Sequence, residues 1–92
     1  MSLKNIGVIG AGTMGNGIAQ ICAIRGYNVI MQDVSDSVAQ KGLHALGVSL
    51  ERLVKKDKIT QEASVQALGR IQTTTDIEAL AECDLVVEAA SE

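Results

Sequence analysis

Two short apolar runs flank a helical pattern in the first third of the chain. The first run predicts a strand over Asn5–Ile9, and the second predicts a strand over Asn28–Gln32. Between them, a helical pattern predicts a helix over about Thr13–Arg25, which Gly26 would end. The apolar positions of this helix include Ile18, Ile21, Cys22 and Ile24. The chain therefore opens with a strand–helix–strand unit.

A longer helical pattern occupies the middle of the chain. Ser35 is its predicted N-cap, and the helix should reach about Lys56. Thr60 is the predicted N-cap of a shorter helix that runs to about Leu68. The broad apolar face predicted for the long helix consists of Val38, Leu43, Leu46, Leu50, Leu53 and Val54.

The last part of the chain predicts two more strands around a helical turn. The strands are expected at Arg70–Thr73 and Asp84–Ala89, and the turn at Asp76–Ala81. This alternation predicts an α/β fold, a Rossmann-like doubly wound parallel sheet that stops after its fourth strand. We interpret residues 1–92 as the N-terminal portion of such a domain. Val86 and Val87 would then lie on an unprotected sheet edge.

Composition narrows the classes of partner. The chain has 92 residues, which is enough for one hydrophobic core. Its net charge is −3, so it lacks the basic excess that favours nucleic acids or anionic membranes. We find neither a signal peptide nor a membrane-spanning apolar run, so we expect a cytoplasmic protein. Cys22 and Cys83 lack the spacing of metal ligands, and we interpret them as reduced structural thiols.

A glycine-rich turn follows the first strand, with the sequence Gly10-Ala11-Gly12-Thr13-Met14-Gly15. Gly10 suits a sharp turn, Gly12 leaves room for a close pyrophosphate, and Gly15, with Gly17 beyond it, would let the helix pack tightly on the strand. The helix should begin near Thr13, so that its free N–H groups face the phosphates. The turn lacks the Gly-Lys-Ser/Thr ending of a P-loop.

An acidic residue ends the second strand, about 20 residues after the glycine turn. At this position, Asp33 would accept hydrogen bonds from both adenosine ribose hydroxyls and would repel a 2′-phosphate. Strand, turn, helix and acid together predict an NAD site, with NAD favoured over NADP. FAD enzymes share the glycine pattern, usually with Glu at the acidic position, and FAD stays a minor alternative.

The chain resembles the 3-hydroxyacyl-CoA dehydrogenases, and among them the bacterial 3-hydroxybutyryl-CoA dehydrogenases. The resemblance spans essentially the whole chain. The glycine turn is shared by many dehydrogenases, whereas the lysine segment and the closing strand are more specific. The matching segments are Val8–Gln20, Val29–Asp33, Lys56–Ile59, Leu68–Ile71 and Asp84–Ala89.

The resemblance implies roles for residues outside the glycine turn. Glu92 matches a family residue near the nicotinamide, and Ser49 and Lys56 match residues that touch CoA. The family usually has glycine where this chain has Asp57, and a carboxylate there weakens the positive field beside Lys56. His44 is the only histidine; it lies mid-helix without an evident partner, and we interpret it as a structural or surface residue.

The activity implied by the resemblance is hydride transfer between NAD and the C3 carbon of a 3-hydroxyacyl-CoA, in fatty-acid or butanoate metabolism. The family's catalytic residues lie beyond residue 92, so we assign no catalytic residue and expect the chain alone to be inactive. The resemblance also implies a helical C-terminal domain, absent here, through which we expect the full-length protein to form a homodimer. Two alternatives stay open: another β-hydroxyacid dehydrogenase, and a non-enzymatic NAD-sensing module.

Overall fold

The computed structural model describes residues 3–89, which form a four-stranded parallel sheet with its helices packed on one face. The strands stand in the order β3-β2-β1-β4. In chain order, the elements are β1 (Asn5–Ile9), α1 (Thr13–Ile24), β2 (Asn28–Gln32), α2 (Asp36–Lys55), α3 (Gln61–Gly69), β3 (Ile71–Thr74), a 3₁₀ turn (Ile77–Leu80) and β4 (Leu85–Glu88).

The predicted elements are all present, and most of their bounds are close. β1 and β2 have the predicted ends, whereas β3 begins at Ile71, one residue later than predicted. Both predicted N-caps are confirmed, because the hydroxyl of Ser35 accepts from the N–H of Val38 and that of Thr60 from the N–H of Ala63. These caps set where α2 and α3 begin.

The core is built from large side chains of the sheet and of α2, together with small side chains of α1. Val8 and Met31 are fully buried beneath α1 and α2, and Ala19 and Ala23 are the α1 residues that face them. Small residues are needed there because they let helices approach a sheet closely. Val38, which the sequence placed on the apolar face of α2, is exposed, and so is Ile21, one of the apolar positions of α1.

The second face of the sheet is covered differently. There the 3₁₀ turn places Leu80 over β1, where a Cβ added to Gly7 would lie 3.0 Å from a Leu80 methyl carbon and 3.2 Å from the Cys83 sulfur. No α-helix among residues 3–89 packs on this face. The α-helices of the described residues thus cover one face of the sheet, and the 3₁₀ turn contacts the other.

A side-chain clamp joins the beginnings of β1 and β4. One carboxylate oxygen of Asp84 accepts hydrogen bonds from the backbone N–H groups of Lys4 and Asn5, both at 2.9 Å. These two bonds hold the pKa of Asp84 below its ordinary value, the bond from Asn5 contributing most.

Within residues 3–89, no helix combines the length and the apolar character needed to cross a bilayer.

Candidate functional site

A cleft of about 700 Å³ opens at the carboxyl ends of β1, β2 and β4. The chain leaves β1 to form β2 on one side and returns to form β4 on the other, so the strand order reverses here. Ligands of open parallel sheets bind at such a reversal. The residues that line the cleft are Gly10, Gly12, Thr13, Met14, Asp33, Val38 and Ala89.

The glycines of the turn have three different physical roles. Gly10 has a φ of 103°, a conformation that strongly favours glycine. A Cβ on Gly15 would collide with the carbonyl oxygen of Gly10, so Gly15 is what lets α1 approach β1. A Cβ on Gly12 would meet no atom within 4 Å, so Gly12 leaves open space in the cleft. Gly17 likewise has free space, and its predicted packing role is wrong.

The beginning of α1 is open toward the cleft. Gly12 is its N-cap, no side chain bonds the free N–H groups, and the first turn carries no acidic residue. By contrast, hydroxyl groups cap both other α-helices of the described part of the chain. An uncapped helix N-terminus presents donors and a partial positive charge, which suit a phosphate.

Asp33 lies at the rim of the cleft and is already bonded to two backbone segments. Its Oδ2 accepts from the N–H of Ala11 at 3.0 Å, and its Oδ1 accepts from the N–H of Ser35 at 3.3 Å. Each carboxylate oxygen keeps lone-pair capacity for a further donor. The side chain is half-buried and remains within reach of a ligand in the cleft.

These features fit a dinucleotide. The uncapped helix end, the space above Gly12 and a carboxylate at the end of the neighbouring strand meet in one cleft. They match the needs of a pyrophosphate and of a ribose diol. The structure therefore brings together the predicted residues of the glycine turn and Asp33.

The predicted CoA residues lie on α2, away from the glycine turn. Val38 lines the cleft, and Ser49 and Lys56 follow about three and five turns further along, hence on the same side of the helix. Ser49 is half-buried and Lys56 is exposed at the C-cap. Exposed Arg52 lies between them, a positive charge that the sequence analysis did not single out. Glu92 lies outside the described residues.

Asp57 follows the end of α2, at a position where the resembling family usually has glycine, and its backbone conformation shows why both residues fit. Its φ is 58°, and its N–H bonds the carbonyl of Val54 at 3.0 Å, the arrangement of a residue that ends a helix in the left-handed region. Glycine suits this conformation best, and aspartate is among the side chains that tolerate it.

The other reactive side chains lie outside the cleft. His44 is exposed and lines a separate groove of about 510 Å³ between α2 and α3, which agrees with reading it as a surface residue. Cys22 and Cys83 are free thiols whose pKa values are raised mainly by burial, which makes them weaker nucleophiles. Within residues 3–89, no three His, Cys, Asp or Glu side chains are grouped to hold a metal ion.

Sequence reasoning missed three residues of the site. Val38 and Ala89 line the cleft, although Val38 was expected in the core. Gly42 of α2 lies against Ala11, so closely that a Cβ on Gly42 would collide with the Ala11 carbonyl oxygen. The sequence did offer one signal for Gly42, because a glycine in the interior of a helix, away from the caps, often has a packing role.

Comparison with known proteins identifies the family of the chain. The family model for the 3-hydroxyacyl-CoA dehydrogenase NAD-binding domain matches residues 5–92. The chain is 44% identical to a 3-hydroxybutyryl-CoA dehydrogenase of Bradyrhizobium diazoefficiens, over 98% of this chain and 31% of the relative. A 3-hydroxyadipyl-CoA dehydrogenase of Escherichia coli is 39% identical, over 100% of this chain and 19% of the relative.

Solved structures give the same result. The (S)-3-hydroxybutyryl-CoA dehydrogenase of Ralstonia eutropha is 49% identical and superposes with a TM-score of 0.94, covering 99% of this chain and 32% of that structure. The chain thus spans about a third of the length of these two 3-hydroxybutyryl-CoA dehydrogenases and about a fifth of the Escherichia coli relative. By sequence, fold and cleft, the chain belongs to the 3-hydroxyacyl-CoA dehydrogenase family, through the domain that binds NAD.

Proposed function

We propose that this chain holds NAD in an oxidoreductase that transfers hydride between NAD and the C3 carbon of a 3-hydroxyacyl-CoA. The observation that carries the proposal is the uncapped N-terminus of α1, which opens with Gly12 into a cleft whose rim bears Asp33. Relatives named for 3-hydroxybutyryl-CoA and 3-hydroxyadipyl-CoA share the CoA portion of the substrate and differ in the acyl portion.

In this proposal, the protein binds and orients the cofactor. The backbone N–H groups at the beginning of α1 hold the pyrophosphate, and Gly12 leaves the space that the phosphates need. Asp33 accepts hydrogen bonds from the adenosine ribose, and its negative charge disfavours the 2′-phosphate of NADP. NAD supplies the nicotinamide that exchanges hydride when it is bound. Glu92 remains the predicted neighbour of the nicotinamide.

The general base of the reaction has no candidate among the described cleft residues. Removal of the proton from a 3-hydroxyl requires a base within hydrogen-bond reach, usually histidine. His44 is the only histidine of the chain and lines the groove between α2 and α3. We therefore expect the 92-residue chain to bind NAD without oxidising 3-hydroxybutyryl-CoA. Steady NADH production by the purified chain would overturn this expectation.

The first experiment is calorimetry with NAD and NADP. We expect saturable NAD binding and weaker NADP binding by the wild type, and we expect Asp33→Ala to weaken NAD binding by roughly tenfold or more. Asp36→Ala is the matched control, since it removes a carboxylate three residues away at the exposed start of α2. Equal losses in both variants would show a general effect on the fold and would contradict the ribose contact.

A second experiment tests the CoA contact. Lys56 and Lys55 are adjacent exposed lysines, but a helix turns by about 100° per residue, so they project in different directions. We expect Lys56→Ala to weaken CoA binding to the NAD-loaded chain and Lys55→Ala to change it little. NAD binding without any CoA binding would instead favour the NAD-sensing module.

We also propose, as finer features of the family, a cytoplasmic protein that acts in fatty-acid or butanoate metabolism and forms a homodimer at full length. Sedimentation of the product of the complete gene tests the dimer, and cell fractionation tests the location.

A further inference from the structure

Ala11, in the middle of the glycine turn, is held on two sides by other parts of the chain. Its side chain is buried, with 2% exposure, although Gly12 and Thr13 beside it are exposed. Its N–H donates to Asp33 Oδ2 at 3.0 Å, which fixes the amide side of the residue. The opposite side, with its carbonyl group, faces α2 at Gly42.

The contact at Gly42 leaves no space for a side chain. A Cβ placed there would collide with the Ala11 carbonyl oxygen and would lie 3.1 Å from the Ala11 Cβ. The obstacle is backbone, which cannot rotate away as the end of a long side chain does. Gly42 is itself buried within α2, so the helix backbone lies directly against the turn.

We propose that Gly42 is a positioning residue for the cofactor. It lets α2 brace the carbonyl side of Ala11 while Asp33 holds the amide side, so the turn keeps its NAD-binding shape before NAD arrives. The proposal rests on the glycine turn being the pyrophosphate site, as argued under the proposed function. A site that needs no rearrangement loses less free energy to ordering when its ligand binds.

The chain offers a matched control in the same helix. Gly47 is five residues further along α2, and a Cβ there would meet no atom within 4 Å. Gly47→Ala should raise the thermal midpoint by about a few degrees, because alanine favours a helix more than glycine does. It should leave NAD affinity unchanged, since Gly47 lines the groove between α2 and α3 and not the cleft.

The test compares NAD affinity, thermal stability and the amide NMR signals of residues 10–12 in the Gly42→Ala and Gly47→Ala variants. We expect Gly42→Ala to weaken NAD binding by roughly tenfold or more while still folded, because the turn must shift. The signals of residues 10–12 should move in the unliganded variant. A lower thermal midpoint with NAD affinity equal to that of Gly47→Ala would show a purely structural role and overturn the proposal.

A second measurement needs no folded Gly42 variant. In the unliganded wild type, the Ala11 amide should exchange with solvent as slowly as the amides of β1, since it is bonded and buried. Exchange as fast as in an open loop would mean that the turn is not preformed, and would overturn the proposal. If neither the wild type nor Gly47→Ala binds NAD, the assignment of the glycine turn to the pyrophosphate is wrong. The exchange rate of the Ala11 amide still shows in that case whether the turn is preformed.

Discussion

At the scale of single residues, the site depends on where side chains are missing. Gly10, Gly12 and Gly15 lie within six positions, yet each is required for a different reason: backbone conformation, ligand space and helix approach. The glycine spacing was enough to predict the turn, because these demands are local. The bond between Asp33 and the Ala11 N–H was not predictable, because the fold alone brings residues so distant in sequence together.

Two glycine substitutions should separate ligand binding from folding. Gly12 has φ −73° and ψ −163°, an extended conformation open to any residue, so Gly12→Ala should change the free energy of unfolding by less than about 0.5 kcal/mol. Its methyl group would occupy the pyrophosphate space, and NAD binding should weaken strongly. Gly15→Ala should lower the free energy of unfolding by about 1–3 kcal/mol, because its methyl group meets the Gly10 carbonyl.

Thermal unfolding and calorimetry on both variants check this prediction. If Gly12→Ala bound NAD as tightly as the wild type does, the space above Gly12 would not be the pyrophosphate site.

At the scale of elements, α2 links two functional regions. It braces the glycine turn at Gly42, and five turns after Val38 it ends at the lysine proposed to contact CoA. The sequence predicted its length well, since Ser35 supplies an N-cap signal. On the predicted apolar face of α2, Leu46 is buried as expected, whereas Val38 is exposed. Apolar periodicity selects large residues such as Val38, whereas close packing on the sheet selects small ones such as Ala39.

The end of α2 provides a prediction on stability and on substrate binding together. Asp57→Gly should raise the free energy of unfolding by about 1 kcal/mol, because glycine adopts the left-handed conformation at φ 58° without a side-chain penalty. Asp57→Asn should change stability less. Both variants remove a negative charge beside Lys56, so both should bind CoA more tightly than the wild type.

Urea unfolding and CoA titration of the NAD-loaded chain measure these two effects. Tighter CoA binding by the glycine variant alone would show that backbone geometry, and not charge, controls the contact.

The attachment of β4 gives a prediction on pH. The Asp84 carboxylate has a pKa below its ordinary value because it accepts the Asn5 and Lys4 N–H groups, so its ionised form is favoured in the folded state. Its stabilising effect is therefore present above the ordinary aspartate pKa, and is lost as pH falls through the lower folded value. Asp84→Asn should unfold more easily at neutral pH, and the difference from wild type should shrink in acid.

Thermal midpoints measured from pH 7 down to pH 2 check this sign, with Glu82→Gln as the control from an exposed carboxylate nearby. A stability difference that stayed constant across this range would mean that Asp84 acts through packing and not through its charge.

At the scale of the whole molecule, the sheet has one face packed by helices and an edge with apolar side chains. β4 pairs only with β1 in the described sheet, and Leu85 and Val86 are 45% and 43% exposed. Parallel strands are normally buried on both faces. Sequence reasoning anticipated this edge from the apolar composition of the strand. The placement of all three described α-helices on one face, in contrast, follows from tertiary packing that no local pattern records.

An apolar open edge predicts that the chain associates with itself through β4. Exposed backbone donors and acceptors pair with another strand, and the burial of Leu85 and Val86 would add to the gain. Val86→Lys should reduce this association, because a charge at the edge must be desolvated for a strand to pair there. Val65→Lys places the same charge on α3 at a more exposed valine, with 62% exposure, and should leave association unchanged. Sedimentation velocity over a range of concentrations distinguishes the variants. If association persisted in Val86→Lys and disappeared in Val65→Lys, the contact would lie on the helical face and not at the sheet edge.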